Sequence, residues 1–151
     1  MAEVTINKMM KLSEHFTLAE LCKTSVKTAD GNIPSHVHIE NLKNLCENWL
    51  EPLRQRYNKP ILINSGFRSE AVNKAIGGVK GSNHLTGCAV DIRVTGPEQA
   101  IRYACILLDI ADESKRDYDE LLIERSPKGG HWLHFAVRPR DNRRKVRFIQ
   151  T

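Results

Sequence analysis

Ser82-Asn83-His84-Leu85-Thr86-Gly87-Cys88-Ala89-Val90-Asp91-Ile92-Arg93-Val94 is the stretch from which the fold is read outward. From Ala89 to Val94 it alternates. Val90, Ile92 and Val94 fall on one face of an extended strand, and Ala89, Asp91 and Arg93 on the other. The apolar face requires a layer to cover it, while the second face carries a carboxylate in the middle of an apolar strand. An aspartate flanked by Val90 and Ile92 is partly desolvated, so its charge needs a cation or hydrogen-bond donors beside it. Gly87 lets the backbone fold back, bringing His84, seven residues before Asp91, toward that carboxylate.

Downstream, Pro97 suits the first turn of a helix whose Ala100, Ile101, Ala104, Leu107, Leu108 and Ala111 make a core-facing stripe. The polar stretch Asp112 to Asp117 reads as a loop. Leu121 to Glu124 and Trp132 to Val137 then read as strands, joined through Ser126-Pro127-Lys128-Gly129-Gly130, a hairpin by its turn residues. Upstream, Ile61 to Asn64 form an apolar strand that enters the Ser65-Gly66 turn, and Ser69 caps a short helix that Gly77-Gly78 ends. Ile39, Leu42, Leu45, Cys46, Trp49, Leu50 and Leu53 recur at intervals of three and four, the mark of a main amphipathic helix starting near Ser35. Pro52 is expected to kink or end it. Asp30-Gly31-Asn32 is turn chemistry, and Thr17-x-x-Glu20 is a capping box for a first short helix. These elements compose an α+β fold in which N-terminal helices pack on a mostly antiparallel sheet with one helix inserted.

The 151 residues suit a single domain, with a core over about 16–137 and a basic C-terminal tail over 138–151. Apolar residues make up 40% and charged residues 27%, which excludes a disordered chain, and no internal repeat is present. No apolar run approaches the length of a membrane span. Met1-Ala2-Glu3-Val4 lacks a basic segment followed by an apolar one, so synthesis in the cytoplasm without a signal peptide is expected. The four cysteines form no C-x-x-C pair and read as small buried hydrophobes. The net charge of +5 owes much to Arg138, Arg140, Arg143, Arg144, Lys145 and Arg147. Such a tail fits nucleic acid, anionic wall polymers or a membrane surface, and equally a solvated basic edge. Neither a recognition helix nor zinc-finger spacing supports nucleic acid.

A second histidine, His134, lies in a strand, within Trp132-Leu133-His134-Phe135-Ala136-Val137. Together His84, Asp91 and His134 offer two imidazoles and one carboxylate. Three such ligands leave the fourth tetrahedral position of zinc open, the pattern of a catalytic site suited to amide hydrolysis. Taken singly, each has a plainer explanation: a surface loop histidine, a cap or ion-pair partner, and a hydrogen-bonded core histidine. Spacing in one chain does not bring them together.

Ile63-Asn64-Ser65-Gly66-Phe67-Arg68-Ser69, then Ser82-x-His84-x-x-Gly87-x-Ala89-x-Asp91, then Trp132-x-His134 occur in this order. From about Phe16 to Val137 the chain resembles the zinc D-alanyl-D-alanine carboxypeptidase family, peptidase family M15, with its phage endolysin relatives. The resemblance implies a fold shared with the hedgehog signalling domain and one zinc ion on His84, Asp91 and His134. It gives Arg68 the substrate carbonyl or carboxylate and the oxyanion, and Ser82 either a substrate hydrogen bond or the capping of its own turn. The implied substrate is the peptidoglycan stem peptide, cut by a carboxypeptidase or an endopeptidase. The protein is expected to be a monomer that acts on the cell wall, released at phage lysis if it is an endolysin.

In several relatives the general base is an acid three residues before the last histidine, where this chain has His131. Glu124 is the stronger candidate. A hairpin turn centred near Gly129 sets it opposite His134 and on the same face. Alternation sends His131 to the other face with Leu133 and Phe135, unless a bulge at Gly130 intervenes, so it is kept as an oxyanion donor or alternative base. Trp132 shares the His134 face and is expected to wall the substrate pocket or pack in the core. Two rival readings accompany the enzyme: a non-catalytic zinc-containing wall-binding module, motivated by His131, and a basic nucleic-acid-binding domain, motivated by the tail.

Overall fold

Five strands form one sheet in the computed structural model, which describes residues 6–151. The opening Met1-Ala2-Glu3-Val4, read above for a leader, lies outside the described residues. The strands are β1 (Ile63–Ser65), β2 (Ala89–Arg93), β3 (Glu120–Arg125), β4 (His131–Ala136) and β5 (Lys145–Gln150), in the order β1-β2-β4-β3-β5. All neighbours are antiparallel except β3 and β5. The helices are α1 (Leu18–Leu21), α2 (His36–Leu45), α3 (Glu51–Tyr57), α4 (Glu70–Ala75) and α5 (Pro97–Ser114), with a 3₁₀ turn at Asn83–Thr86.

Alternation divides the sheet into two faces. Val90, Ile92, Leu121, Leu133 and Phe135 are buried in one core with Leu42, Leu45, Trp49, Leu53 and Leu107 from the helices. The opposite face carries Asp91, His134, Glu120, Leu122 and Glu124. The core is therefore a helix-on-sheet layer, and the polar face is left free for chemistry.

Pro52 does not end the main helix. A π turn, Cys46–Leu50, joins α2 to α3, and the rod runs on to Tyr57, where Asn58 turns left-handed with φ 60°. A wider turn just before a proline relieves the clash with the preceding carbonyl and absorbs the missing N–H. All seven residues of the predicted stripe are buried. Helix α5 is longer than expected, taking in Asp112, Glu113 and Ser114 before Lys115 closes it at φ 57°. Its buried face is also rotated, with Tyr103 and Ile110 inside and Ile101 exposed. Cys105 is exposed rather than buried, and all four cysteines are free thiols.

The C-terminal segment is not a loose basic tail. Its last residues form β5, and three of its five arginines are tied down: Arg143 and Arg138 to Asp119, Arg144 to Asp112 and Asp117. Asp119 is the reason. Its side chain is fully buried, and Arg143 clasps it with Nε at 3.0 Å and Nη2 at 2.8 Å while Asn83 Nδ2 donates at 2.8 Å. A buried carboxylate without such donors would carry the full cost of desolvation.

Burial alone would raise the Asp119 carboxyl, yet the bonds from Arg143 and Asn83 outweigh it and bring the pKa down to about 2. A carboxyl depressed in the folded state contributes stability above its unfolded value of 3.8, and that contribution fades as pH falls toward 2. Asp119→Ala is expected to cost roughly 2–3 kcal/mol at neutral pH by urea unfolding, the scale of hydrogen bonds to charged groups. The variant should also lose part of the wild-type drop in stability between about pH 4 and pH 2.

Candidate metal centre

Three backbone devices bring the polar residues together. Ser82 Oγ accepts the His84 N–H at 3.2 Å and opens the 3₁₀ turn, which Gly87 closes at φ 73°. A side chain on Gly87 would collide with the His38 carbonyl as well as strain that φ. At Gly66 the chain passes so close to α1 that a Cβ would strike the Leu21 carbonyl oxygen, which already accepts the Phe67 N–H at 2.7 Å. Buried Asn32 then clamps the arginine turn, donating to the Cys22 and Phe67 carbonyls and accepting from Ser69 N–H.

The Gly66 carbonyl meets His84 Nδ1 at 2.6 Å. A carbonyl only accepts, so the proton is assigned to Nδ1 and the Nε2 lone pair faces Asp91 Oδ1 at 3.3 Å. The same Oδ1 lies 3.1 Å from His134 Nδ1, and Asp91 Oδ2 takes a 2.8 Å bond from Arg68 Nη2. Donor atoms of His84, Asp91 and His134 all lie within 4.8 Å of one another. A lone pair and a carboxylate oxygen facing at this range repel unless a proton or a cation stands between them, so the donor set fits a single divalent ion. Asp91 is almost wholly buried. When a proton rather than a cation stands between each imidazole and the carboxylate, desolvation pushes its pKa up, but the charge of His84 and the hydrogen bonds of both histidines win, and it stays well below the usual carboxylate range.

His134 Nε2 faces Glu120 Oε1 at 3.1 Å, and Asn83 Nδ2 donates to that same oxygen at 2.7 Å. Glu120 was not singled out in the sequence. The signal was there: stepping back by two from Glu124 through Leu122 reaches Glu120 on the same face, but the apolar run starts only at Leu121. A carboxylate on the outer nitrogen of a ligating histidine fixes its ring and raises its basicity.

Glu124 lies opposite Trp132, not His134, whose partner is Leu122. The turn centres on Lys128, one residue before the expected Gly129, which slips the pairing by two and preserves the face. Glu124 lines the same cleft of about 730 Å³ as Arg68, Ser82, Trp132 and the three clustered residues. Trp132 Nε1 donates to Glu124 Oε2 at 2.8 Å, so the indole does more than wall the pocket. Burial lifts the Glu124 pKa above its ordinary value, with the charge of His134 opposing. His131 faces Arg125 at the hairpin end, on the Leu133 and Phe135 side, and does not line the cleft. The expected alternative base or oxyanion donor thus lies away from the cleft lining, because strand alternation turns it to the other face.

The sequence model of the family described as Peptidase M15 matches residues 14–114, two thirds of the chain. That span contains Arg68, His84 and Asp91 and ends before β3 and β4, so His134 enters the cluster on geometry alone. The zinc D-Ala-D-Ala carboxypeptidase of Streptomyces albus G is 32% identical over 96 residues, covering 58% of this chain and 37% of that protein. The chain thus aligns with little more than a third of that relative's length.

Burial would lower the His134 pKa, but hydrogen bonds to Asp91 and Glu120 raise it to about 9. A divalent ion must displace this proton, so affinity is expected to climb with pH through the neutral range and level off above about 9. Calorimetry in buffers of different ionisation heat reads the released proton. Glu120→Ala should weaken the plateau affinity roughly 10- to 100-fold and move the break to lower pH. An unchanged plateau would remove Glu120 from the site.

Proposed function

The chain belongs to the peptidase M15 family, and from that premise we propose that it is a zinc peptidase of bacterial cell-wall peptides. It would remove a terminal D-alanine from the peptidoglycan stem peptide or cut within the stem. The observation that carries this reading is the convergence of His84, Asp91 and His134 in a cleft whose wall holds a half-buried, upward-shifted Glu124. His84, Asp91 and His134 would hold the ion, which when bound supplies Lewis acidity toward a peptide carbonyl and a water oxygen.

The remaining work falls to the chain's own groups. Glu124 takes a proton from the attacking water and returns it to the leaving amine, the task for which a carboxylate shifted up by burial is suited. Trp132 aims it by holding one oxygen, which leaves Oε1 for the proton. Arg68 has a free Nη1 among the described residues and lines the cleft, so it binds the substrate carbonyl or carboxylate and stabilises the oxyanion. Ser82 is committed to the His84 turn, and at the cleft wall its hydroxyl can also meet substrate. The nucleic-acid reading is weakened, since three of the six basic residues that motivate it, Arg138, Arg143 and Arg144, are paired with Asp119, Asp112 and Asp117.

Defined stem-peptide fragments incubated with the zinc-loaded protein are expected to lose mass at one peptide bond, and chelation should stop the change until zinc is restored. Glu124→Gln should keep the ion and lower kcat by roughly 10²–10⁴-fold, the usual weight of general acid-base catalysis. Fragments of unchanged mass would reject the peptidase reading, and a Glu124→Gln variant with wild-type kcat would reject that assignment alone.

A further inference from the structure

Among the described residues, two ionised side chains lining the cleft pair with no opposite charge: Glu124 and Lys145. The others are satisfied. Arg68 bonds Asp91, Arg138 and Arg143 bond Asp119, and Glu120 bonds His134. Glu124 has a task in the reaction proposed above. Lys145 has none.

Lys145 opens β5 directly across from Glu120 and is only half-exposed. Arg143 Nη2 reaches within 3.6 Å of Glu120, and Arg138 Nε lies 3.3 Å from Asp119 Oδ2. This end of the cleft therefore holds three cations, Arg138, Arg143 and Lys145, against two carboxylates, Asp119 and Glu120, and both carboxylates are already engaged. The excess positive charge sits in a concavity, where low-dielectric walls strengthen its field. Because the guanidinium of Arg143 is fixed on Asp119, the mobile charge left to meet a ligand is the Lys145 ammonium, a point charge with three donors.

We infer that Lys145 is a carboxylate subsite that recognises an acidic residue of the peptide substrate within roughly three to four residues of the bond to be cut. The inference rests on the peptidase reading and narrows its substrate class to stem peptides with a free carboxylate near that bond. The register sets the distance. His134 pairs with Leu122, and Lys145 with Glu120 one strand further on, so Lys145 lies two strands and two residues from His134. With strands about 4.8 Å apart and a rise of about 3.3 Å per residue, the Cα separation is about 12 Å. An extended peptide covers this in roughly three to four residues, and the reach of the lysine stem brings its carboxylate closer to the scissile bond. Lys145 at one end and Glu124 toward the other also give the cleft a charge direction, which would orient an acidic peptide along it.

The test uses two otherwise identical stem peptides, one with a free carboxylate at the acidic residue and one with the carboxamide. The zinc-loaded wild type is expected to show a KM about tenfold lower for the acid, and the preference should shrink as salt is raised. Lys145→Ala should raise KM for the acid far more than for the amide, bringing the ratio near one, and Lys145→Arg should restore it. Equal KM values in the wild type, or equal losses on both peptides in Lys145→Ala, would overturn the subsite and leave the peptidase reading standing. Calorimetric binding of both peptides to the zinc-loaded Glu124→Gln variant reports the preference without turnover. If the wild type cuts neither peptide, a tenfold tighter acid still supports the subsite, and equal affinities overturn it.

Discussion

A buried carboxylate at the centre of a strand organises one whole face of this protein. Asp91 is almost removed from water, and its charge is stable there only because Arg68, His84 and His134 converge on its two oxygens. These partners come from three places: the turn after β1, the 3₁₀ turn before β2, and the neighbouring strand β4. The first two are fixed by local features of the backbone around them. Gly66 permits the close pass over α1 and offers its carbonyl to His84, Gly87 reverses the chain, and Asn32 pins the arginine turn from 35 residues upstream of Phe67. The fold's local irregularities are thus concentrated around one oxygen pair.

The same logic is repeated at Asp119, with a different outcome. That carboxylate is also buried, but its donors are Arg143 and Asn83, with Arg138 beside them, and no histidine is in reach. Arginine does not release its proton, so Asp119 is closed by protein alone and serves to pin the segment leading into β5. Asp91 is closed partly by imidazoles, which can exchange a proton for a metal ion. Asn83 links the two centres by donating to both Asp119 and Glu120. The C-terminal strand is in this way held against the wall of the metal centre rather than hanging from the domain.

Much of this was legible before any coordinates. Alternation in Ala89 to Val94 gave the two-faced strand, and the spacing from Ile39 to Leu53 gave the long helix, because both periods are set by backbone geometry and survive in any context. What misled was local chemistry overridden by packing. Pro52 is tolerated because a π turn precedes it, and Asp112 to Ser114 remain helical because Ala111 and Ile110 are anchored in the core. The arginine-rich end looked like a tail because its partners, Asp112, Asp117 and Asp119, are close in space but far in sequence. Register was the other blind spot. Pairing Glu124 with His134 depended on which residue centres the hairpin turn, and Glycine-rich turns do not declare their centre.

The two carboxylates of β3 show why the face matters more than the register. Glu120 and Glu124 are four residues apart on one strand face, so both look toward the cleft whatever the turn does. Their surroundings then drive them apart. Glu120 bonds the His134 imidazole and is pulled down to about 2, whereas burial pushes Glu124 up and its one strong donor is a neutral indole. A carboxylate held low suits fixing a ligand's ring, and one shifted up suits moving a proton. Exchanging their surroundings would exchange their roles, since the side chains are identical and only the neighbours differ. Environment is thus what favours Glu124 for the proton transfer proposed above and Glu120 for positioning, a distinction that sequence spacing alone does not contain.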